Sequence, residues 1–284
     1  MQYADPYAAP GRWYKGNLHT HTTASDGTSP PEDTVRLYEE KGYDFLALTD
    51  HNTFTDPAPL QPRTKMTLIP GFEWGHGYAP HIACVGVHQA YEGSFQEILD
   101  STSALGGMAI LCHPNWVRAD LWPPEVMAGL RYYAGIEIYN HVITRLEGSA
   151  LATDDWDTLL TAGLHVWGYA AEDAHKQTDI GHCCNMVLSP SATPSDLLYH
   201  LEHGHCYAST GLAFDEIGLR SGAVDVRLPG EAQVRFVGPR GEVLAEVSGR
   251  EADYTPQGAA YVRVEAENAA GQRAWSQPFW RLSS

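Results

Sequence analysis

Apolar and polar positions along the first two thirds of the chain alternate in a way that predicts short strands followed by amphipathic helices. Between residue 16 and about residue 210, apolar runs are separated by segments that carry helix-start and helix-stop signals. This arrangement is typical of an α/β domain with a largely parallel sheet. The predicted strands lie near residues 16–19, 45–49, 66–70, 82–87, 108–112, 135–139 and 165–171, with a short one near 184–188.

Capping signals indicate where three of the helices begin. Ser29 and Glu32 have the spacing of a capping box, in which a hydroxyl and a carboxylate satisfy the first free N–H groups of a helix. Ser94 and Glu97 repeat this spacing before the next helix, and Thr193 opens a third one. Glycines end each of these helical patterns, as expected for residues that adopt left-handed backbone angles easily.

The pattern changes after about residue 212, where helix signals stop and polar and apolar positions alternate. Three alternating segments lie at residues 224–228, 233–237 and 261–264. Turn-prone sequences at 239–241 (Pro-Arg-Gly) and 268–271 (Asn-Ala-Ala-Gly) separate the segments. The C-terminal region is therefore predicted to form antiparallel strands.

The chain length allows a large domain with a small one attached. A chain of 284 residues can bury a substantial core without disulfides or other staples. We expect a larger α/β domain at residues 1–212 and a small antiparallel β-domain or β-extension at residues 213–284. The sequence contains no Pro-rich or Ser-rich linker between them, which indicates a tight connection.

Charge and cysteine content restrict the possible partners. With 18 Lys+Arg against 35 Asp+Glu, the formal net charge is -17, which disfavours binding of extended nucleic acid. The five cysteines lack a paired zinc-type spacing and lie mostly in apolar runs, so we expect reduced core residues. No apolar run approaches the length of a signal peptide core or a membrane span, and the sequence predicts a soluble, cytoplasmic protein without membrane partners.

Polar side chains with metal-binding chemistry follow the predicted strands one after another. In parallel α/β folds, ligand sites form at the carboxyl ends of strands, so these side chains converge if the sheet is strongly curved. His81 is an exception, because it precedes its strand. The residues at the strand ends are His19, His21, Asp50, His51, Glu73, His113, Glu137, Asn140, Glu172, Asp173 and His175.

This set of residues indicates a metal site more than a group of unrelated polar residues. His19 and His21 are two positions apart, which places both imidazoles on one face of an extended segment. So many histidines and carboxylates at one edge would repel or desolvate each other without cations between them. Divalent ions turn the same crowding into coordination.

Several separated motifs together resemble the polymerase and histidinol phosphatase (PHP) family of metal-dependent phosphoesterases. The resemblance covers about residues 14–212 and implies a distorted (β/α)7 barrel with a two- or three-metal site at the carboxyl ends of its strands. The matching motifs, in order, are His19-Thr20-His21, Ser25-Asp26-Gly27, Thr49-Asp50-His51-Asn52, Gly71-Phe72-Glu73, Cys112-His113-Pro114 and Glu172-Asp173-Ala174-His175.

The resemblance also implies a division of the ligands among three ions. The first ion would be held by His19, His21 and Asp173, and Glu73 would bridge it to a second ion. The second would also take His81 and His113. The ligands of the third would be Asp26, His51 and His175. Some family members have a histidine in place of Asp26, so the third site is richer in oxygen here.

The ligand types indicate which metals and which reaction to expect. Mixed imidazole and carboxylate ligands, with no cysteine among them, suit manganese, iron or zinc. Two or three such ions can activate a bridging water for direct attack on phosphorus without a covalent phosphoenzyme. Glu73, Asp173 and His175 are the candidate catalytic residues. Cys112 adjoins His113, but that histidine is better used as a ligand than as the base of a cysteine nucleophile.

Other polar residues near the motifs are candidates for substrate binding or for support of the ligands. The candidate substrate-binding residues are Arg118, Asn140, His141, Arg145 and Lys176, because they lie beside the motifs and cations are scarce in this chain. Asp50 and Glu172 adjoin ligands and are expected to orient histidines. For each of these residues, an ordinary surface or core role remains an alternative.

The sequence thus predicts metal-dependent hydrolysis of a small phosphorylated substrate, either a phosphomonoester or a phosphodiester. One alternative is an amidohydrolase-like metal enzyme that cleaves C–N or C–O bonds. Such enzymes often use a carbamylated lysine, and no lysine stands at a suitable strand end. A second alternative is a non-catalytic binding protein that has kept the metal site.

Overall fold

The computed structural model describes residues 2–117 and 121–282. In these ranges the chain forms five α-helices and sixteen β-strands. The helices are α1 (Pro31–Glu40), α2 (Phe95–Ala104), α3 (Pro124–Gly129), α4 (Thr153–Thr161) and α5 (Pro194–Glu202). The strands are β1 (Arg12–Asn17), β2 (Phe45–Ala47), β3 (Thr67–Ile69), β4 (Gly71–Trp74), β5 (Ile82–Val85), β6 (Met108–Leu111), β7 (Gly135–Asn140), β8 (Trp167–Ala171), β9 (Cys184–Ser189), β10 (Cys206–Ser209), β11 (Glu216–Arg220), β12 (Ala223–Val237), β13 (Val243–Tyr254), β14 (Tyr261–Asn268), β15 (Arg273–Ser276) and β16 (Phe279–Trp280).

Two of the three predicted helix starts have the expected caps. The carboxylate of Glu97 accepts hydrogen bonds from both the backbone N–H and the hydroxyl of Ser94 at 2.8 Å. Thr193 Oγ1 accepts the backbone N–H of Asp196 at 3.3 Å. These contacts satisfy N–H groups that the first helical turn leaves free, and they confirm the predicted starts of α2 and α5.

The capping box predicted at the start of α1 is wrong. The helix begins at Pro31, directly after Pro30, and no side chain caps it. The hydroxyl of Ser29 is buried and has no hydrogen-bond partner among the described residues. A proline at the first helical position has no N–H to satisfy, so this start needs the cap less than others do.

The strands of the first 210 residues lie in two sheets, which confirms an α/β fold but not a closed barrel. In the first sheet β1, β2 and β3 are parallel, and β9 and β10 continue it antiparallel beyond β1. In the second sheet β6, β7 and β8 are parallel, whereas β5 runs antiparallel to both β4 and β6. The prediction of a largely parallel sheet therefore holds for only part of the fold.

The two sheets meet near the carboxyl ends of their strands. Only Pro70 separates β3 from β4, so one stretch of chain passes from the first sheet to the second. Beyond the ladders, isolated parallel bridges join His51 to Glu73 and Thr20 to Ala174. Four of the predicted metal-binding motifs thus lie where backbone hydrogen bonds hold the two sheets together.

The opposite seam, between β8 and β9, has no backbone ladder. Instead, the side-chain amide of Asn185 accepts from the N–H of Ala170 at 2.9 Å and donates to its carbonyl at 2.7 Å. Gln277 makes the same pair of bonds with Gly168, at 2.9 and 2.8 Å. Alternate residues of a strand point their peptide groups to the same edge, so the two amides replace a neighbouring strand along β8.

The C-terminal strands extend the first sheet. Strand β15 pairs with β10, and β14, β12 and β11 follow, so the sheet continues from the first 210 residues into the last 70. The segments predicted at 224–228 and 233–237 form one strand, β12, with an irregularity between Arg227 and Ala232 where its partner β13 shifts register. A turn at the predicted 239–241 sequence connects β12 to β13. The domain boundary at residue 212 stays a prediction.

Buried side chains form several adjoining apolar clusters. One lies between the second sheet and helices α2, α3 and α4, and another lies within the C-terminal strands. All five cysteines are buried and unpaired, as predicted. In the described part of the chain, no helix has the length and apolar character needed to cross a membrane.

Candidate metal centre

All nine residues predicted to bind metal lie around one point at the junction of the two sheets. His19 and His21 follow β1, His51 follows β2, Glu73 lies within β4, His113 follows β6, and Asp173 and His175 follow β8. His81 precedes β5, but this strand is antiparallel to its neighbours, so its beginning lies beside the carboxyl ends of the others. Asp26 comes from the turn after His21.

Glu73 is the centre of this arrangement and is fully buried. Its Oε2 lies 3.1 Å from His19 Nε2, 3.2 Å from His21 Nε2 and 3.0 Å from His51 Nδ1. Its Oε1 lies 2.9 Å from His81 Nδ1 and 3.2 Å from His113 Nε2. Each oxygen of this one carboxylate therefore faces a different group of imidazoles.

One group of four atoms has the spacing of a coordination shell. Nε2 of His19 and Nε2 of His21 are 3.1 Å apart, and they lie 3.3 and 3.0 Å from Asp173 Oδ1. Together with Glu73 Oε2, these atoms form a compact set. Ligands at about 2.0–2.2 Å from an ion are separated by about 3.0–3.5 Å from one another, so the four atoms fit a single divalent metal.

A looser group lies at the mouth of the site around Asp26, whose side chain is 56% exposed. Asp26 Oδ2 lies 3.3 Å from His175 Nε2 and 3.8 Å from His51 Nε2, and Oδ1 lies 3.6 Å from His21 Nδ1. This group could hold a further ion. The imidazole of His51 reaches both groups, with one nitrogen towards Glu73 and the other towards Asp26.

Unsatisfied atoms provide an independent sign that cations belong here. Among the described residues, His21 Nδ1, His81 Nε2, His113 Nδ1 and Glu73 Oε2 are buried without a hydrogen-bond partner. Buried polar atoms are seldom left unpaired in proteins, and such atoms concentrate here in one cluster. The donor set of imidazoles and carboxylates fits divalent transition metals.

The charges in the cluster shift the pKa values of its members. Burial by itself would lower the pKa of His19, but the carboxylates of Asp173 and Glu73 outweigh it and hold that pKa well above its usual range. Burial would raise the pKa of Glu73, and the surrounding imidazoles instead hold it well below its usual range. Against burial, the hydrogen bond to Asp26 raises the pKa of His175 to about 9. Protonated imidazoles thus supply positive charge that metal ions could replace.

The thiol of Cys112 lies beside the cluster. Its sulfur is within 4.8 Å of ligand atoms of His113 and Glu73. Burial raises the pKa of the Cys112 thiol well above its usual value, which keeps it protonated. The expectation that no cysteine belongs to the ligand set stays a prediction.

Backbone strain is concentrated at the same place. Asn52, His113 and Asp173 are non-glycine residues with left-handed backbone angles, with φ of 49°, 32° and 51°. Such conformations cost about 1–3 kcal/mol each and persist only where the surrounding contacts impose them. At His113 the contact is with Glu137, whose carboxylate accepts the His113 N–H at 2.7 Å.

The residues that orient the ligands differ from those expected. Asp50 accepts hydrogen bonds from Thr22, Ser25 and Thr55, and it makes none to a histidine ring. Glu172 accepts from Tyr43 and from three backbone N–H groups at residues 181–183. The prediction that these two acids orient histidines is therefore wrong, and Glu137, which contacts His19 directly, has this position.

Above the cluster lies an open cavity of about 510 Å³. The candidate catalytic residues Glu73, Asp173 and His175 line it, and His175 is the most exposed of the three. Tyr78 and Trp116 form part of its wall, although neither residue belongs to a motif that indicates binding. Their positions next to His81 and His113 are the only sequence signal that could have indicated them.

Among the predicted substrate-binding residues that the structure describes, none lines this cavity. Arg118 lies outside the described residues. The guanidinium of Arg145 binds the carboxylate of Asp179 at 3.0 and 2.8 Å, and Asp179 in turn accepts the N–H groups of His175 and Lys176. Arg145 therefore holds the loop that carries His175, and the Lys176 side chain is exposed outside the cavity.

The other two predicted substrate contacts are also engaged with protein. Asn140 is buried and donates to Glu137 at 2.8 Å and to Asp173 at 3.3 Å. His141 stacks on His182 with ring centroids 3.8 Å apart. Burial, followed by the neighbouring His182, lowers the pKa of His141 to about 4, so its ring is neutral at pH 7. Neither residue lines the cavity.

Known proteins match this chain over a short segment in sequence and over nearly its whole length in structure. No protein-family model matches the chain. A segment of 62 residues is 42% identical to the 5'-3' exoribonuclease Rnm of Escherichia coli, and the match covers 20% of this chain and 21% of that protein. The Rnm protein of Salmonella typhimurium matches to the same extent. The chain thus spans about a fifth of the length of the curated relatives it matches.

The structural comparison extends over nearly the whole chain. A two-domain protein from Bacteroides vulgatus, which contains a predicted PHP-like metal-dependent phosphoesterase, superimposes with a TM-score of 0.56 at 16% identity, covering 94% of both chains. An amidohydrolase from Chromobacterium violaceum, solved with bound sulfate and no metal, covers 67% of this chain at 14% identity and a TM-score of 0.46, which is too distant to support an argument. The chain therefore shares the fold of the Bacteroides vulgatus protein, which is consistent with the resemblance of its motifs to the PHP family.

Proposed function

We propose that this protein hydrolyses a small phosphate ester with two or three divalent metal ions held by the cluster around Glu73. The observation that carries the proposal is the division of the Glu73 carboxylate between two groups of imidazoles. One oxygen faces His19 and His21, and the other faces His81 and His113. A carboxylate in this position can bridge two ions and offset their mutual repulsion.

Metal ions bound there would polarise phosphoryl oxygens and increase the acidity of a water molecule. The protein contributes a rigid frame for this chemistry. Glu73 and Asp173 are buried acids whose negative charge attracts the cations. Glu137 fixes the ring of His19, and Arg145 fixes the loop of His175 through Asp179. His175 is half-buried at the rim of the cavity, where a substrate can reach its imidazole.

The size of the cavity and the charge of the chain favour a small substrate. A cavity of about 510 Å³ accommodates a molecule of metabolite size. The formal net charge of -17 opposes association with an extended polyanion. The local identity to a 5'-3' exoribonuclease is a reason to test phosphodiesters beside phosphomonoesters. A cytoplasmic location is part of this proposal.

Two other functions would use the same residues differently. An amidohydrolase-like enzyme would cleave C–N or C–O bonds, often with a carbamylated lysine as a metal ligand. No lysine lines the cavity within residues 2–117 and 121–282. A non-catalytic binding protein would hold metal with the same residues but would hydrolyse no phosphate ester.

Hydrolysis assays on protein of known metal content test the proposal. We expect purified protein to contain more than one equivalent of transition metal and to hydrolyse 4-nitrophenyl phosphate or bis(4-nitrophenyl) phosphate. A chelator should abolish this activity, and added manganese should restore it. Full activity of metal-free protein would overturn the metal mechanism. Hydrolysis of an amide or lactone panel, with no phosphate ester cleaved, would favour the amidohydrolase alternative.

A further inference from the structure

One wall of the cavity above the cluster is aromatic. The rings of Tyr78 and Trp116 both line it, with centroids 5.5 Å apart and planes inclined by 46°. Trp116 also packs edge-on against two imidazoles of the cluster, with its centroid 5.0 Å from His113 and 5.6 Å from His81. A ligand group that packs against this wall therefore lies beside the imidazoles of His81 and His113.

Backbone contacts hold Trp116 in place before any ligand binds. Its N–H donates to the carbonyl of His113 at 3.0 Å, and it forms an isolated bridge with Gly148. The bridge requires a glycine, since a Cβ on Gly148 would lie 2.3 Å from the carbonyl oxygen of Asn115. The indole is thus presented to the cavity by a fixed loop, and little conformational freedom is lost when something packs on it.

Tyr78 is more exposed to solvent than Trp116. Its side chain is 76% exposed, and the residue belongs to a turn in which the N–H of Ala79 donates to the carbonyl of His76 at 3.3 Å. Val142 and Leu146 line the same cavity and add apolar surface to it. Large exposed apolar side chains grouped at a cavity commonly mark a binding surface.

We propose that the leaving group of the substrate carries a planar aromatic ring that packs against Trp116 and Tyr78 while its phosphoryl group lies at the metal cluster. The proposal rests on the proposed function for the position of the phosphoryl group. Two inclined aromatic rings offer a flat ligand both a face and an edge, the arrangements that aromatic pairs prefer. A saturated ring of similar size can fill the space but lacks these contacts.

Binding of non-hydrolysable phosphonates separates this proposal from turnover. Benzylphosphonate and cyclohexylmethylphosphonate carry the same charge and differ in planarity. Calorimetry on the full chain loaded with manganese should show a Kd for benzylphosphonate that is lower by about five- to tenfold, the range expected for one or two aromatic contacts. Equal Kd values for the two compounds would overturn the proposal.

Two substitutions test whether Tyr78 and Trp116 cause the tighter binding of the aromatic phosphonate. Tyr78→Leu and Trp116→Leu should each reduce the ratio of the two Kd values towards one. Tyr199→Leu, a change at an exposed aromatic residue on α5 away from the cavity, should keep the ratio of the wild-type protein. Because Trp116 touches His113, the metal content of Trp116→Leu is measured as well, and Tyr78→Leu provides the second test at a site that folding does not need. A preference that survives both changes would contradict the assignment to this wall.

The outcomes for binding and for hydrolysis are independent. If benzylphosphonate binds more tightly but no phosphate ester is hydrolysed, the role of the Tyr78 and Trp116 wall in binding an aromatic group is supported. The proposed function then fails. If phosphate esters are hydrolysed and the two phosphonates bind equally, the proposed function stands and the proposal about the leaving group is wrong.

Discussion

His19 Nδ1 lies 2.7 Å from Glu137 Oε1, and both side chains are buried. Because an ionised carboxylate only accepts hydrogen bonds, Nδ1 carries the proton, and Nε2 is left to face Glu73 and Asp173. The second oxygen of Glu137 accepts the N–H of His113 at 2.7 Å. One acid beneath the cluster therefore sets the orientation of two candidate ligands that are 94 residues apart in the sequence.

Replacing this acid should weaken the site without removing a ligand. In Glu137→Gln one oxygen becomes an NH₂ group, which cannot accept the hydrogen bonds that Glu137 now takes on both oxygens. We expect metal affinity or the hydrolytic rate to fall by about 10- to 100-fold, as is typical for residues that support metal ligands. Elemental analysis measures the metal content and kinetics measure the hydrolytic rate. Glu125→Gln, at an exposed acid on α3, is the control. Wild-type metal content and rate would show that the orientation of His19 does not depend on this charge.

Glu73→Gln should be more damaging than Asp26→Asn. Glu73 is fully buried between two groups of imidazoles, whereas Asp26 is half-exposed and serves only the group at the mouth. We expect Glu73→Gln to lower the rate by several orders of magnitude and to reduce the metal content, since an amide keeps the shape but loses the charge. Asp26→Asn should cost about 10- to 100-fold. Equal losses in kinetics and metal counts would mean that Glu73 is not the bridge.

The seam at β8 gives a prediction about stability. Gln277 satisfies both the N–H and the carbonyl of Gly168, and all of these atoms are buried. Gln277→Leu leaves two peptide groups unpaired, at about 1–3 kcal/mol each, so the free energy of unfolding should fall by about 2–6 kcal/mol. Urea denaturation measures this, with Gln257→Leu on the exposed surface as the control. An unchanged midpoint would show that water replaces the amide without cost.

A pH-dependent stability is expected at Asp155 in α4. Burial, followed by the charge of Asp154, raises the pKa of Asp155 to about 6, and Asp155 Oδ2 is buried without a hydrogen-bond partner among the described residues. The carboxyl is protonated in both the folded and unfolded states below about pH 4. As pH rises through 6, its ionisation favours the unfolded state, so its contribution to stability is lost.

Asp155→Asn should remove this penalty. We expect the variant to unfold at a higher temperature than the wild type at pH 8, and we expect the difference to disappear at pH 4. Thermal unfolding, monitored by circular dichroism at both pH values, measures this difference in unfolding temperature. Asp253→Asn, at an exposed acid on β13, is the matched control. A difference of equal size at the two pH values would indicate a change in packing and not in ionisation.

Much of the fold could be predicted from local patterns. The apolar runs at residues 45–49, 108–112 and 135–139 became β2, β6 and β7, because a short apolar run between polar segments has few other stable conformations. The failures occurred where the pattern was ambiguous. Strand β4 was not predicted, since it continues directly from β3 after one proline, and β13 is largely exposed and has no apolar face to reveal it.

The sequence alone determined the chemistry of the site, because residue types and their places after apolar runs are local properties. It indicated histidines and carboxylates at successive strand ends, and the structure brings all nine of the predicted ligands together. Tertiary structure alone decided which partners surround them. The antiparallel direction of β5 brings His81 into the site, the path of β7 places Glu137 under His19, and Asp179 takes Arg145 away from the substrate cavity. These contacts join residues that are distant in sequence, and their formation depends on the course of the whole chain, which no local pattern of polar and apolar positions records.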